Sequence, residues 1–350
     1  MPSVRKSLST TGPRVLVYGA GSIGGYLGGA LIAAGLDVTL LGREHIRDTF
    51  QENGLTLTDL QGREAVLAPV TVPFCTTLDQ APPSDIVLLT VKCTGLEQAA
   101  LDLAPWVRPE TVVVCCQNGI GTREIVSSRL QAEVISAMVP FNVAWPEDAR
   151  LHRGTEGELL IQAHPLISPL VEAWQTMGVP TATTSNFTSV AWGKLLLNLN
   201  NAVNALAGIP LLDQLNDRDY RKVLSRCQRE LLAALRKAGI QPAALTKAPP
   251  GLIPWLLLLP NWLFRIIARQ MLAIDPLARS SMSDDLTRGR PTEIEFLNQA
   301  VVELAFQQGL TAPANERIVE LVRQAEEQGA GSPMMSGPEL WSLVNRSALA

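Results

Sequence analysis

The sequence predicts an α/β chain in two parts, a doubly wound parallel sheet followed by an all-helical domain, and three observations predict it. The glycine-rich turn Gly19-Ala20-Gly21-Ser22-Ile23-Gly24 sits directly between a strand-like and a helix-like run near the N-terminus. The runs "DIVLLTVK" and "TVVVCCQNG" are continuously apolar, as parallel strands covered on both faces must be. From about residue 186, strand patterns give way to helical periodicity. At 350 residues the chain also exceeds the size at which a single hydrophobic core stops growing.

Taken in order, residues 1 to 13 ("MPSVRKSLSTTGP") are basic and Ser/Thr-rich without an apolar stretch, which predicts a disordered leader and no secretory signal. "RVLVY" at 14 to 18 is a short β-rich run, and "GAGSIGGYLGGALIAAG" has helical spacing that ends at Gly35. "DVTLLGR" supplies a second strand, and the alternation in "LTLTDLQGREAVLAPVTV" around Gly62 predicts a hairpin. "GLEQAALDLAPWV" is the crossover helix between the two apolar strands, and right-handed crossovers complete the doubly wound sheet. In the second half, "NFTSVAWGKLLLNLNNAVNAL", "DRDYRKVLSRCQRELLAALRKAG", "PTEIEFLNQAVVELAFQQG" and "NERIVELVRQAEEQ" read as helices. Asn186 has the chemistry of an N-cap, and Gly239 and Gly309 close two of these helices. The expected domains are therefore residues 14–185 and 186–350.

A formal charge of -4 and a pI near 5.6 leave no basic footprint, which argues against a nucleic-acid partner. The five cysteines are odd in number and scattered without CxxC spacing, so reduced thiols in a cytoplasmic protein are expected, with no metal site. "GLIPWLLLLPNWLF", residues 251 to 264, is cut by Pro254 and Pro260 and is far short of the ~20 residues that span a bilayer. It predicts a buried or domain-covering segment, with a membrane-surface contact as the alternative.

The glycine turn is a G-x-G-x-x-G in the setting that binds dinucleotides. Gly19 permits the tight turn, Gly21 lets the backbone approach a pyrophosphate, and Gly24 allows close helix packing; Ser22 and Ile23 open the helix on whose N-terminus the diphosphate sits. An NAD-preferring site ends its second strand with an acid, whereas here the strand ends Leu41-Gly42-Arg43. Without an acid there to repel a 2′-phosphate, and with Arg43 able to bind it bidentately, NADP is the expected cofactor; the alternative is a solvated loop arginine beside Glu44. Lys92 and Asn118 follow strands at the carboxyl edge, where open α/β sheets bind ligands. Taken singly, Lys92 is a surface lysine and Asn118 an ordinary Asn-Gly turn residue.

In "WGKLLLNLNNAVNAL", residues 192 to 206, one lysine and four asparagines interrupt an apolar helix. With Lys194 at zero and about 100° per residue, Asn198 falls at about 40° and Asn201 at about -20°, one narrow stripe. Asn204 is marginal at about -80° and Asn200 lies apart at about -120°. Unpaired buried amides cost about 1–3 kcal/mol each, so the seam needs internal partners, water or a polar ligand. In "SSMSDDLTRGRPTEIEFLNQ", Pro291 is expected to start a helix with Glu293 and Glu295 in its first turn, where carboxylates suit the dipole. Ser280 and Ser281 are, by themselves, loop or cap residues.

With these motifs in hand, the sequence resembles the ketopantoate reductases (2-dehydropantoate 2-reductases) over residues 14 to 328. "GAGSIGG", "VK" at 91 to 92, "QNGIG", "KLLLN" at 194 to 198 and "SSM" followed by "TEIEFLNQ" carry the resemblance. It implies a Rossmann domain and a helical domain like that of 6-phosphogluconate dehydrogenase, with the active site in the cleft. It also implies NADPH-dependent reduction of ketopantoate to pantoate, on the way to pantothenate and coenzyme A. Carried over by residue, Lys194 protonates the C2 carbonyl oxygen, Asn198 orients it, Glu293 binds the substrate hydroxyl and Ser281 its carboxylate. Lys92 and Asn118 line the nicotinamide side, and Arg43 takes the 2′-phosphate. Many members carry another Asn where this chain has Ala202, and Asn201 is the expected substitute.

Three readings follow: a ketopantoate reductase, a same-fold dehydrogenase for another branched or aromatic 2-oxo acid, and a non-catalytic NADP-binding sensor. The partner in the first two is a small 2-oxo acid. A homodimer is compatible with the sequence, which leaves the oligomeric state open.

Overall fold

A computed structural model of the chain describes residues 12–147, 149–269 and 277–347. The expected leader thus lies outside the described residues except at its last two positions. The chain divides into two compact units, one ending at Phe187 and lacking Gly119–Gly121, the other made of Gly119–Gly121 and the residues from Thr188 onward.

The first unit is built from β1 (Val15–Tyr18), α1 (Ser22–Ala33), β2 (Val38–Leu41), α2 (Glu44–Asn53), β3 (Leu55–Asp59), β4 (Glu64–Leu67), β5 (Phe74–Cys75) and β6 (Ile86–Leu89). It continues with α3 (Leu96–Leu103), β7 (Val112–Cys115), α4 (Thr122–Ser127), β8 (Glu133–Met138), β9 (Val143–Glu147), β10 (Arg150–Arg153), β11 (Leu159–Gln162), α5 (Ser168–Thr176) and β12 (Thr181–Thr184). Eight strands form one sheet in the order β12-β11-β8-β7-β6-β1-β2-β5. Its central strands are buried on both faces because helices cover both. Val15 and Val17 of β1 enter one core with Leu27 and Leu31 of α1, and Leu16 enters another with Leu96 and Leu103 of α3. Period-two alternation in a strand therefore serves two cores at once.

The sheet departs from the wholly parallel one expected. Strands β5 to β8 are parallel neighbours through β2, β1, β6 and β7, but β11 runs antiparallel to β8. The hairpin predicted around Gly62 forms as β3 and β4, and it joins a second sheet ordered β4-β3-β10-β9.

The second unit is helical: α6 (Phe187–Asn198), α7 (Asn200–Ala207), α8 (Leu211–Asn216), α9 (Arg218–Lys237), α10 (Ile253–Leu257), α11 (Asn261–Ile267), α12 (Ser281–Thr287), α13 (Asn298–Gln307), α14 (Pro313–Gln328) and α15 (Gly337–Ser347). The 20-residue α9 is its axis, burying Val223, Leu224, Cys227, Leu231 and Leu235 on one face. Asp217 caps α9 by accepting the Asp219 N–H at 2.7 Å.

Three expectations for this half are corrected. The helix holding the lysine and asparagines is two helices, separated at Leu199, so a single 100° wheel does not hold across its length. Pro291 does not start a helix: Thr292 N–H donates to the Glu326 carboxylate, Ile294–Phe296 make a 3-10 turn, and α13 begins only at Asn298. Leu297 breaks the run with φ -110° and ψ -95°, outside helical space. Glu295, placed in a helical first turn by the sequence, instead pairs with Arg323 through two bonds of 2.8 and 2.7 Å.

The stretch 251 to 264 is only partly buried. Ile253, Pro254, Leu257 and Phe264 are interior, but Trp255 and Trp262 are 57% and 66% exposed. Two short amphipathic helices bury one side each and leave the other open, which an apolar run with prolines does not reveal. Arg221, fully buried, anchors the stretch by donating to Leu259 O at 3.1 Å and Asn261 Oδ1 at 2.6 Å, with its guanidinium 4.0 Å from the Phe264 ring centroid. Desolvation pulls its pKa down to about 10. Among the described residues no helix is long and apolar enough to cross a membrane. All five cysteines are free, and burial pushes Cys75 up to about 11 and Cys116 to about 12.

Candidate active site

In the first unit the polar residues singled out by sequence converge at one edge of the sheet. The parallel registers set Tyr18 beside Leu41 and Leu89, and Leu89 beside Cys115. The residues after these strands, Gly19, Gly42, Thr90 and Cys116, are therefore level at the carboxyl edge, with Arg43, Lys92 and Asn118 just beyond. From β1 the sheet extends to β2 on one side and to β6 on the other, so this edge holds the topological switch point where such sheets take ligands.

The three glycines of the turn differ physically. Gly19 has φ +110° and lies so close to Val91 that a Cβ would sit 2.8 Å from its backbone nitrogen. A Cβ on Gly24 would be 2.2 Å from Gly19 O, so the third glycine lets α1 seat on the turn. A Cβ on Gly21 would meet nothing within 4 Å. Gly21 is also the N-cap of α1 without a capping side chain, and the first turn, Ser22 and Ile23 included, holds no acid. Open space above free N–H groups at a helix N-terminus is a cradle for a diphosphate.

Two braces of this edge escaped sequence reading. The Thr90 hydroxyl donates to Gly19 O at 2.9 Å, and the Gln117 amide donates to Leu89 O at 2.8 Å and Val91 O at 3.0 Å. Gln117 stood in the quoted "QNGIG" motif, but nothing in the sequence marked Thr90. Arg43 is exposed at the N-cap of α2, and its side chain has no hydrogen bond or ion pair among the described residues. Lys92 is exposed and caps a 3-10 turn over Cys93–Gly95, while Cys93 Sγ donates to the carbonyl of half-buried Asn118 at 3.2 Å.

In the second unit the polar seam is sorted by its partners. Lys194 and Asn198 lie on α6 and Asn201 on α7, all three half-buried, and their side chains make no hydrogen bond or ion pair among the described residues. Desolvation alone lowers the Lys194 pKa from its usual 10.5. Asn204 and Asn200 are different. Asn204 is fully buried, donates to Ile209 O at 2.9 Å and accepts the Ser280 N–H at 2.9 Å. Asn200 accepts from Gln214 at 2.8 Å. Ala202 is wholly inside the core.

Ser280 completes this framework. Its hydroxyl donates to the Asn201 carbonyl at 3.0 Å and accepts the Ser283 N–H at 3.2 Å, capping α12. Ser281 is thereby held next to α7 as the first, exposed residue of α12. Glu293, half-buried, opens the 3-10 turn whose Phe296 carbonyl accepts the Ile120 N–H at 3.0 Å. Ser281 is tied to the seam through Ser280, whose hydroxyl bonds the Asn201 carbonyl.

The fold and these positions can be set beside known proteins. Residues 15–165 match the family "Ketopantoate reductase PanE/ApbA", and residues 186–326 match "Ketopantoate reductase PanE/ApbA C terminal". A 2-dehydropantoate 2-reductase of Pyrococcus horikoshii is 27% identical over 326 residues, covering 91% of this chain and 99% of the relative. Among solved structures, a PanE/ApbA family ketopantoate reductase from Ralstonia eutropha JMP134 superposes with a TM-score of 0.77 at 27% identity, covering 90% of this chain and 99% of that one. A D-mandelate dehydrogenase solved with NADH and anilino(oxo)acetate shares the fold at TM-score 0.72 and 18% identity, with 90% and 99% of the two chains covered. Two family matches in tandem, over a Rossmann-type sheet with its glycine turn and a helical unit carrying the Lys-x-x-x-Asn seam, show that this chain belongs to the ketopantoate reductase PanE/ApbA family of oxidoreductases.

Proposed function

We propose that the protein reduces 2-dehydropantoate to (R)-pantoate with NADPH. The observation that carries this reading is Lys194, a half-buried ammonium of lowered pKa with no partner among the described residues, one helical turn from an equally unpartnered Asn198. An unpaired buried charge is destabilising, so a chain that keeps one has a use for it. The cradle fits a dinucleotide, since Gly21 opens to free space before the N–H groups of α1. When bound, the nicotinamide supplies the hydride that turns the C2 carbonyl into an alkoxide. Lys194 Nζ delivers the proton to that oxygen, and its positive charge stabilises the oxyanion as it develops. A lowered pKa makes the ammonium a stronger acid.

Asn198 orients the same oxygen and Nζ. Glu293 takes the substrate hydroxyl, Ser281 the carboxylate, and Asn201 stands in where other members carry an amide at the position of Ala202. At the sheet edge, Gly19, Gly21, Ser22, Ile23 and Gly24 hold the diphosphate, with Lys92 and Asn118 beside the nicotinamide. Arg43 grips the 2′-phosphate, and its exposed, uncommitted guanidinium supports NADP over NAD.

The test is NADPH oxidation by the purified chain with ketopantoate, 2-oxoisovalerate and benzoylformate in parallel. Ketopantoate should give the highest kcat/KM. Turnover of none of the three would end the reductase reading, and a preference for benzoylformate would reassign the substrate to an aromatic 2-oxo acid.

A further inference from the structure

A second groove, formed wholly within the helical unit, takes no part in the proposed reaction. It encloses about 830 Å³ along one face of α9, between residues 239 to 242, residues 250 to 255 and Leu310-Thr311. That is within the roughly 300–1,000 Å³ of small-molecule sites. Along α9, Arg226, Arg229 and Arg236 line it at spacings that place them on one face. At 1.5 Å rise per residue they span about 15 Å.

The groove has one carboxylate, and it is committed elsewhere. Glu230 accepts the Ala314 N–H at 3.0 Å, the Asn315 N–H at 3.1 Å and the Asn315 side-chain amide at 2.9 Å, so it caps α14, and Arg226 lies 3.6 Å from it. Arg229 and Arg236 are exposed and have no carboxylate partner among the described residues. The Arg229 guanidinium lies 5.2 Å from the centroid of the Trp255 ring, which is itself 57% exposed. A cation–π contact of this kind holds the guanidinium beside the ring and leaves N–H groups to grip an anion. Leu232, Ile240 and Pro254 add an apolar wall.

We propose that this groove binds a phosphorylated small molecule carrying a flat ring, of the chemical class of a nucleotide. Its phosphates lie on Arg229 and Arg236 and its ring on the exposed surface of Trp255. A single carboxylate is too short to use both Arg229 and Arg236, which lie about two helical turns apart, whereas a di- or triphosphate reaches them. Bidentate arginine–phosphate bonds supply the specificity for that group, and the ring uses the aromatic surface.

The experiment measures binding of adenosine 5′-triphosphate to the full chain held in saturating NADPH, by calorimetry and tryptophan fluorescence, with inorganic triphosphate as the ringless probe. The expected result is saturable ATP binding that quenches emission, with inorganic triphosphate binding more weakly. Arg229→Ala and Arg236→Ala should each raise Kd about tenfold, the scale of one lost hydrogen bond to a charged group. Trp255→Leu should abolish the quench and weaken ATP but not triphosphate. Absence of ATP binding would overturn the proposal, as would an unchanged Kd in the doubly substituted Arg229→Ala, Arg236→Ala chain. So would equal affinity for triphosphate and ATP, since that removes the ring.

Discussion

At the carboxyl edge of the large sheet, the polar groups left open are backbone N–H groups at the start of α1, beside a Gly21 that faces empty space. Along α6 and α7 they are side chains, Lys194, Asn198 and Asn201, carried on helices otherwise packed into the core. The first region achieves its openness by omitting side chains, so its demands fall on local geometry. The second must hold polar groups against the cost of desolvation, so its demands fall on the tertiary framework around it. Asn204, Ser280, Gln214 and Asn200 form that framework and hold α7, α8 and α12 together, which frees the neighbouring lysine and asparagines from structural duty.

The largest expected effect tests whether the seam is chemical. Lys194→Ala should lower kcat by about 10²–10⁴-fold, the range of general acid catalysis, with NADPH affinity unchanged. In the unmodified chain, reduction should fall as pH rises through the lowered pKa of Lys194, below the usual 10.5, because the ammonium is the acid. That descending limb should vanish in the variant; an identical pH profile would assign the limb to another group. The linkage runs with it: the unfolded chain holds the Lys194 proton more tightly, so stability rises as pH climbs from the lowered value toward 10.5.

The next comparison separates the glycines. Gly24→Ala forces a Cβ to within 2.2 Å of Gly19 O and 2.4 Å of the Thr90 hydroxyl. It should destabilise the first unit by about 1–3 kcal/mol in denaturant unfolding, as overpacking does. Gly21→Ala, with open space above it, should leave the ligand-free melting temperature in place and weaken dinucleotide binding. Equal loss of stability in both would contradict the distinction between packing and approach.

Within the seam, Asn204→Ala removes the acceptor for the Ser280 N–H and a donor to Ile209 O, both in the interior. A loss of about 1–3 kcal/mol in unfolding free energy is expected from the groups left unsatisfied. Asn198→Ala should do the reverse, leaving stability close to unchanged while kcat/KM falls. If Asn198→Ala unfolds the chain and Asn204→Ala spares it, the division of the amides is wrong.

The smallest effect is at the rim. Arg43→Ala should raise the Kd for NADPH about tenfold, as loss of a charged hydrogen bond does, and leave that for NADH within twofold. Equal weakening of both would remove the 2′-phosphate from its role.

Much of the first region was legible because its physics is local. A glycine with positive φ, a strand before it and a helix after it are all written within about twenty residues, and continuous apolar runs announced the parallel strands on either side. The second region was legible only in part. A helical wheel put Lys194, Asn198 and Asn201 in one stripe and left Asn204 undecided, but it passed over the break at Leu199 that sets Asn201 on a different helix. The start of α13 was missed for a related reason, because the Glu326 carboxylate that takes the Thr292 N–H lies 34 residues away in sequence.

By itself, then, the sequence determined the order of the elements, the glycine turn with Arg43, Lys92 and Asn118 after their strands, and the identity of the polar residues on an apolar helix. Each depends on neighbours a few positions away, through φ preferences, periodicity and side-chain chemistry. Only the tertiary structure decided which amides are satisfied internally and which stay open, that the hairpin joins a second sheet, and that Trp255 faces solvent over the arginines of α9. Burial and hydrogen-bond satisfaction depend on residues brought together from distant parts of the chain, and a one-dimensional pattern holds no record of those distances.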